Sequence, residues 1–157
     1  MSANNRHKNI FTWIIMVFMM GSMLALFVFK DSLISYASKG MQHQITPISK
    51  GIFADSVDRL YNYSANKRDY QYTLLEFSGA GCNICRKMEK ELQELSTTHS
   101  RKINIIIYQM TRPNGLQWGK YYGVVMIPTQ VILNRKGREI FRNTGFISKA
   151  ELLDQIK

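Results

Sequence analysis

Cysteine is scarce in this chain, with only Cys82 and Cys85 among 157 residues. The three histidines, His7, His43 and His99, are dispersed. With no second cysteine pair, the sequence nowhere gathers the four ligands of a structural zinc site. A framework of several disulfides, the staple of small secreted domains, is excluded too. Acidic residues are also few, 11 against 21 Lys and Arg, which leaves a formal charge of +10. None of them precedes Asp31. The basic residues are scattered and no nucleic-acid-binding motif accompanies them, so nucleic acid is not an expected partner. The excess reads as a solvated basic surface, able to meet anionic lipid headgroups or acidic partners. No internal repeat is evident, and the length leaves room for one domain of ordinary size beside a single apolar segment.

That segment runs from Ile10 to Phe29 (IFTWIIMVFMMGSMLALFVF) without one charged residue. As a helix it is long enough to cross a bilayer. Its Ile, Leu, Phe and Val residues, at roughly −0.3 to −0.6 kcal/mol each, favour insertion by about 3 to 7 kcal/mol. Arg6, His7 and Lys8 precede it, while Lys30 is followed at once by Asp31. The positive-inside rule then puts the N-terminus in the cytoplasm and everything after Phe29 outside it, as a single-pass protein of the cytoplasmic (inner) membrane. A cleaved signal peptide is the competing reading. Its best cleavage site, Ser35-Tyr-Ala37, lies far from the apolar core, which favours an uncleaved anchor. The expected organisation is a cytoplasmic terminus at residues 1–9, an anchor at 10–29, a polar linker at 30–50 and a folded domain at 51–157.

Within the domain, residues 53–66 carry Phe53, Val57, Leu60, Tyr61 and Ser64 at helical spacing, with Asp55 and Ser56 as the helix entry. A short β-rich run follows at residues 72–77, then a helix at 86–95 marked by Met88, Leu92 and Leu95. Residues 103–108 (INIIIY) predict a strand buried on both faces. A short helix is expected at 114–122, then a strand at 128–133, a turn at 134–137 and a partner strand at 138–142. Ser148 and Glu151 form a capping box that opens a closing helix over residues 149–156. Crossover helices imply parallel strands, with the final hairpin adding an antiparallel edge.

The two cysteines stand between the first strand and its helix, after the turn Ser78-Gly-Ala-Gly81. A cysteine at a helix N-terminus has a reactive thiol, because free backbone N–H groups and the helix dipole favour the thiolate. A second cysteine three residues on lies one turn away and can close a disulfide with it. A two-residue intervening loop constrains an unfolded chain little, so a purely structural bridge has little purpose there. The pattern reads as a dithiol redox site.

Three stretches carry a family resemblance: LLEFSGAGCNICR at residues 74–86, YGVVMIPT at 122–129, and NRKG at 134–137 through Thr144-Gly145 to the final helix. From about Phe53 onward the chain resembles thioredoxin-fold proteins. With its apolar N-terminal segment, it is similar to the membrane-tethered thioredoxin-like reductases of the bacterial cell envelope. The resemblance implies an α/β fold, a central mixed β-sheet flanked by helices, preceded by one transmembrane helix. It also implies roles. Cys82 would be the attacking thiolate and Cys85 the resolving thiol. Pro128 would be a cis-proline lying against the cysteines, with Ile127 offering backbone groups to substrate and Gly81 part of the same surface. Glu76, six residues before Cys82, would be a buried acid moving the proton of Cys85, although its neighbours Leu75 and Phe77 leave its burial open. The implied partners are a disulfide-containing protein substrate and a thiol electron donor, with no small-molecule cofactor.

Departures from the family pattern limit what carries over. Gly81 stands where a tryptophan is usual, Ser78 where another aromatic is, and Asn83-Ile84 replace Gly-Pro between the cysteines. These changes open the surface around Cys82 and alter the thiolate's environment. Lowering a thiol from pKa about 8.5 to about 7 takes about 2 kcal/mol. One helix terminus supplies about 0.3–1 kcal/mol, approaching 2 when partly buried. Redox potential is therefore not inherited with the fold. A disulfide reductase is the leading expectation. A disulfide oxidant or isomerase of the same fold, or a non-catalytic interaction module in a membrane assembly, remain its rivals.

Overall fold

The computed structural model describes residues 3–156. It divides the chain into two compact units, Met1–Ala37 and Ser38–Lys157. The first contains helix α1 (Ala3–Val28). Its stretch Ile10–Val28 has a mean hydropathy of 2.2 over 19 residues, or about 28 Å at 1.5 Å per residue. That is long and apolar enough to cross a membrane. Phe11, Trp13, Phe18 and Phe27 lie exposed along it, so its apolar surface runs round the whole helix rather than along one stripe.

Residues 30–50, expected as a polar linker, are mostly helical. Helix α2 spans Lys30–His43 and α3 spans Pro47–Tyr61. The entry of α3 is also earlier than Asp55 and Ser56 suggested. Thr46 caps it, its hydroxyl accepting the Ser49 N–H at 3.3 Å, with Pro47 in the first turn. Proline suits that position because its missing N–H would have had no partner there. A short α4 (Tyr63–Asn66) follows.

Strands β1 (Tyr72–Ser78), β2 (Ile103–Gln109), β3 (Thr129–Asn134) and β4 (Glu139–Thr144) form one mixed sheet in the order β2-β1-β3-β4. Helix α5 (Asn83–His99) links β1 to β2, which pair in parallel. Helix α6 (Pro113–Tyr122) leads into β3, but β3 runs antiparallel to β1. Of the strands joined through helices only β1 and β2 are parallel, so the antiparallel part of the expected mixed sheet begins at β3 rather than at the final hairpin. Helix α6 and the segment after it carry the chain back so that β3 enters from the opposite end. Strand β2 also differs from expectation. It is an edge strand with Ile107 exposed and several half-buried residues, because a neighbour covers one side only.

Helices α3 and α6 cover one face of the sheet, where Tyr61, Trp118 and Tyr122 meet Leu75, Phe77, Val131 and Leu133. Helices α5 and α7 (Lys149–Asp154) cover the other, where Met88, Leu92, Leu95 and Leu152 meet Leu74, Ile103 and Ile132. Even-numbered residues of β1 and β3 thus face α5, and odd-numbered ones face α6, as the two-residue period of a strand requires. The capping box on α7 forms as expected from Ser148 and Glu151. Leu92 is 2 % exposed at the centre of the α5 interface. Leu92→Ala is expected to destabilise the fold by about 2–5 kcal/mol, read as a lowered denaturant midpoint with an unchanged slope.

Candidate functional site

Strand β1 ends at Ser78, and the chain turns through Gly79, Ala80 and Gly81 before α5 begins at Asn83. Gly81 takes φ +81°, a left-handed conformation that a side chain would disfavour. This turn delivers Cys82 to the N-cap of α5, where its sulfur accepts the backbone N–H of Cys85 at 3.1 Å. The helix therefore starts three residues earlier than its apolar spacing indicated, and both cysteines belong to its first turn. They are joined as a disulfide, with Cα atoms 5.2 Å apart. Cys82 is half-buried and Cys85 is 1 % exposed. One sulfur faces outward and the other lies inside the protein. Arg86 donates a hydrogen bond to the side-chain oxygen of Asn83, which engages its guanidinium with a neighbouring amide.

The Ile127–Pro128 peptide bond is cis, as the resemblance implied. Pro128 is buried and its carbonyl accepts the N–H of Gly145 at 2.8 Å. Thr129 Oγ1 donates to the carbonyl of Met126 at 2.8 Å, holding the loop from inside. This loop lies against the cysteine turn: a Cβ at Gly79 would stand 2.5 Å from Cδ1 of Ile127. A larger residue there would have to push aside the exposed end of the Ile127 side chain. Ile84 between the cysteines, Met126 and Ile127 in the loop, and Phe146 just after Gly145 all remain exposed.

Glu76 is fully buried, which answers the question its sequence neighbours left open. It shares the α5 side of β1 with Leu74, which packs on Met88 and Leu92, and with Ser78, whose hydroxyl donates to Glu89 at 3.2 Å. The carboxyl thus lies on the sheet face that α5 covers, close enough to Glu89 to feel its charge. Gln130 Nε2 donates to its Oε2 at 2.9 Å, while Oε1 is buried with no hydrogen-bond partner among the described residues. Burial pushes its pKa up to about 8; the Gln130 bond opposes that shift and the nearby Glu89 carboxylate adds to it. Desolvation wins because one neutral donor replaces little of the water that a carboxylate loses.

A family model described as a thioredoxin-like domain matches residues 62–157. The chain belongs to the thioredoxin-like family. Solved structures share the fold at low identity. Thioredoxin-2 of the malaria parasite, a component of its protein secretion machinery, is 21 % identical with a TM-score of 0.50, over 55 % of this chain and 81 % of its own. The exposed lipoprotein thioredoxin of Streptococcus pneumoniae is 16 % identical with a TM-score of 0.51, over 58 % and 87 %. A search of curated proteins found no significant match.

The thioredoxin-like fold brings Cys82, Cys85, Gly81, Ile127 and Pro128 to one end of the sheet, and Glu76 is buried on β1, the strand that leads into the cysteine turn. Sequence reasoning missed Gln130 and Asn143, which extend the polar contacts of Glu76 across the sheet. A signal for Gln130 was present, since an amide in the otherwise apolar run Val131-Ile-Leu133 needs a buried partner. Folding keeps a proton on Glu76 up to about pH 8, whereas its ordinary value is 4.5. Between those values the unfolded chain releases a proton that the native state retains. Stability therefore falls as pH rises through this window, by up to about 1.4 kcal/mol per unit. Below it both states are protonated, above it both are ionised, and this contribution to the slope vanishes. Glu76→Gln should remove it, as seen by comparing denaturant unfolding of the oxidised variant and wild type across pH 4 to 9.

Proposed function

We propose that the chain is a thiol–disulfide oxidoreductase that reduces protein disulfides outside the cytoplasm. The observation that carries this reading is the Cys82–Cys85 disulfide in the first turn of α5, with one sulfur outward and one inward. In the reduced protein, the Cys82 thiolate attacks a substrate disulfide, forming a mixed disulfide and releasing one substrate thiolate. The Cys85 sulfur then attacks Cys82, which closes the protein disulfide and expels the second substrate thiolate. Two electrons pass from the protein dithiol to the substrate. Ionised Glu76 takes the Cys85 proton, acting as general base in the reductive direction. The backbone of Ile127, beside cis-Pro128 and the Gly81 turn, aligns the extended substrate segment. A thiol donor restores the dithiol, and no small-molecule cofactor is required.

The membrane setting is part of the proposal. Ile10–Val28 serves as an uncleaved anchor, with the N-terminus cytoplasmic and the thioredoxin-like domain on the periplasmic side. The exposed lipoprotein thioredoxin of Streptococcus pneumoniae is a precedent for holding this fold at an outer surface, there by lipid.

In the full-length protein, Cys85→Ser should accumulate mixed disulfides with partner proteins, since the covalent intermediate can no longer be resolved. Cys82→Ser should form none. Equal trapping by both variants, or by neither, would sink the assignment of attacking and resolving roles. Equilibration of the full-length protein with graded thiol–disulfide buffers should give a reduction potential near about −270 mV, in the range of thioredoxin. A value of about −180 to −120 mV would reverse the direction and make the protein an isomerase or oxidant.

A further inference from the structure

Three polar side chains stand in line across the α5 face of the sheet. Glu76 on β1 is directly opposite Gln130 on β3, which is directly opposite Asn143 on β4. Opposed residues in antiparallel pairs share a face with Cβ atoms about 4.5–5.5 Å apart. Here they are joined by hydrogen bonds, Gln130 Nε2 to Glu76 Oε2 at 2.9 Å and Asn143 Nδ2 to Gln130 Oε1 at 2.7 Å. The line ends on the backbone, because Asn143 Nδ2 also donates to the carbonyl of Gly145 at 3.1 Å. The N–H of that same glycine holds the carbonyl of Pro128.

The backbone end gives the line a direction. A carbonyl can only accept, so Asn143 must turn its NH₂ group toward Gly145. The same NH₂ meets Gln130, which must present its oxygen there and its own NH₂ to Glu76. Oε2 of Glu76 is thereby held as an acceptor. When the carboxyl is neutral, its proton has one place left, the Oε1 atom that no group among the described residues contacts by hydrogen bond.

We propose that Gln130 and Asn143 are positioning residues that place the Glu76 proton on Oε1 and make that oxygen the one through which the buried carboxyl exchanges a proton with Cys85. The inference rests on the reading of Cys82 and Cys85 as a redox pair. In the resolving step, the Cys85 sulfur forms its bond to Cys82 as the bond from Cys82 to the substrate sulfur breaks. The Cys85 proton passes to Oε1, and the departing substrate thiolate takes a proton from water. Glu89 on α5 is the charged group that acts on Glu76, and it is itself bonded by Ser78. From the sheet, β2 presents Ile107, β3 Gln130 and β4 Asn143, none of them charged.

The test uses the reduced full-length protein in detergent micelles, mixed with the chromogenic disulfide dithiobis-nitrobenzoate. Attack by Cys82 gives a first release of chromophore that depends on reagent concentration and reports an intact site. Resolution by Cys85 gives a second release that does not depend on it, and its pH profile is the readout. Losing the Gln130 donor destabilises the ionised carboxyl. The inflection in Gln130→Leu should therefore move to higher pH, with the second phase slowed about five- to tenfold at pH 7. Asn143→Ala should move it the same way by less, and it leaves the buried Gln130 in place should the leucine variant fold poorly. Profiles of both variants that superimpose on wild type would overturn the proposal. Infrared spectra of the oxidised protein provide a readout independent of turnover. The neutral carboxyl band, assigned by its loss in Glu76→Gln, should rise in frequency in Gln130→Leu as the Oε2 carbonyl loses its donor. An unmoved band counts against the proposal. A wild-type protein with no second release fails the redox reading instead, while the infrared band still reports where the proton sits.

Discussion

Strand β1 is hydrogen-bonded along both edges, to β2 in parallel and to β3 antiparallel, and all but its first residue are buried. A strand enclosed in this way has no freedom to slip, since a shift of one residue would exchange its two faces and put Leu74 and Leu75 on the wrong sides. Its C-terminal end is therefore a fixed point in the molecule. The Gly79–Gly81 turn and the first turn of α5 grow from that point, so the cysteines are aimed by the most constrained element of the fold. The cis-proline loop reaches the same end from β3, the other strand that pairs with β1.

Enclosing β1 has an electrostatic consequence. A carboxyl on such a strand loses its water whichever face it points to, and Glu76 points toward α5. The gain from Gln130 is too small to offset that loss, so the neutral form is favoured well above the usual carboxylate range. Such a group holds a proton near the pH at which thiols begin to give theirs up, where a carboxyl can trade protons with a cysteine. Burial thus brings the Glu76 carboxyl toward the ordinary range of a thiol. The helix terminus acts on the other sulfur, where the Cys85 N–H meets Cys82.

Much of the domain could be read from residues close together in the chain. The cysteine spacing, the glycines before it, the Ile-Pro-Thr triplet and the Ser148–Glu151 box each express backbone chemistry within a few residues. The α5 stripe of Met88, Leu92 and Leu95 was equally plain, because helical periodicity is local. Errors arose where a neighbour distant in sequence decides the outcome. Strand β2 is as apolar as a central strand, yet its place at the edge exposes Ile107. The direction of β3 depends on where α6 and the residues after it return the chain, and strand composition carries no such information. Residues 30–50 looked like a tether because polar residues interrupt any apolar stripe, yet Thr46 and Pro47 start a helix there.

The sequence by itself determined that a long apolar segment precedes a thioredoxin-like domain and that a paired thiol opens one of its helices. The apolar segment and the helix opening follow from hydrophobic length, period and short-range capping, and the thioredoxin-like assignment from the resemblance of three short motifs; all of these act or are read between residues near in the chain. Only the tertiary structure decided that Glu76 is buried, that one of its carboxyl oxygens is held by Gln130 and that the other is left free. Those properties belong to register, since Glu76, Gln130 and Asn143 meet only once three strands from distant parts of the chain are aligned. Alignment across a sheet is set by the packing of both its faces together, and no single stretch of sequence contains it.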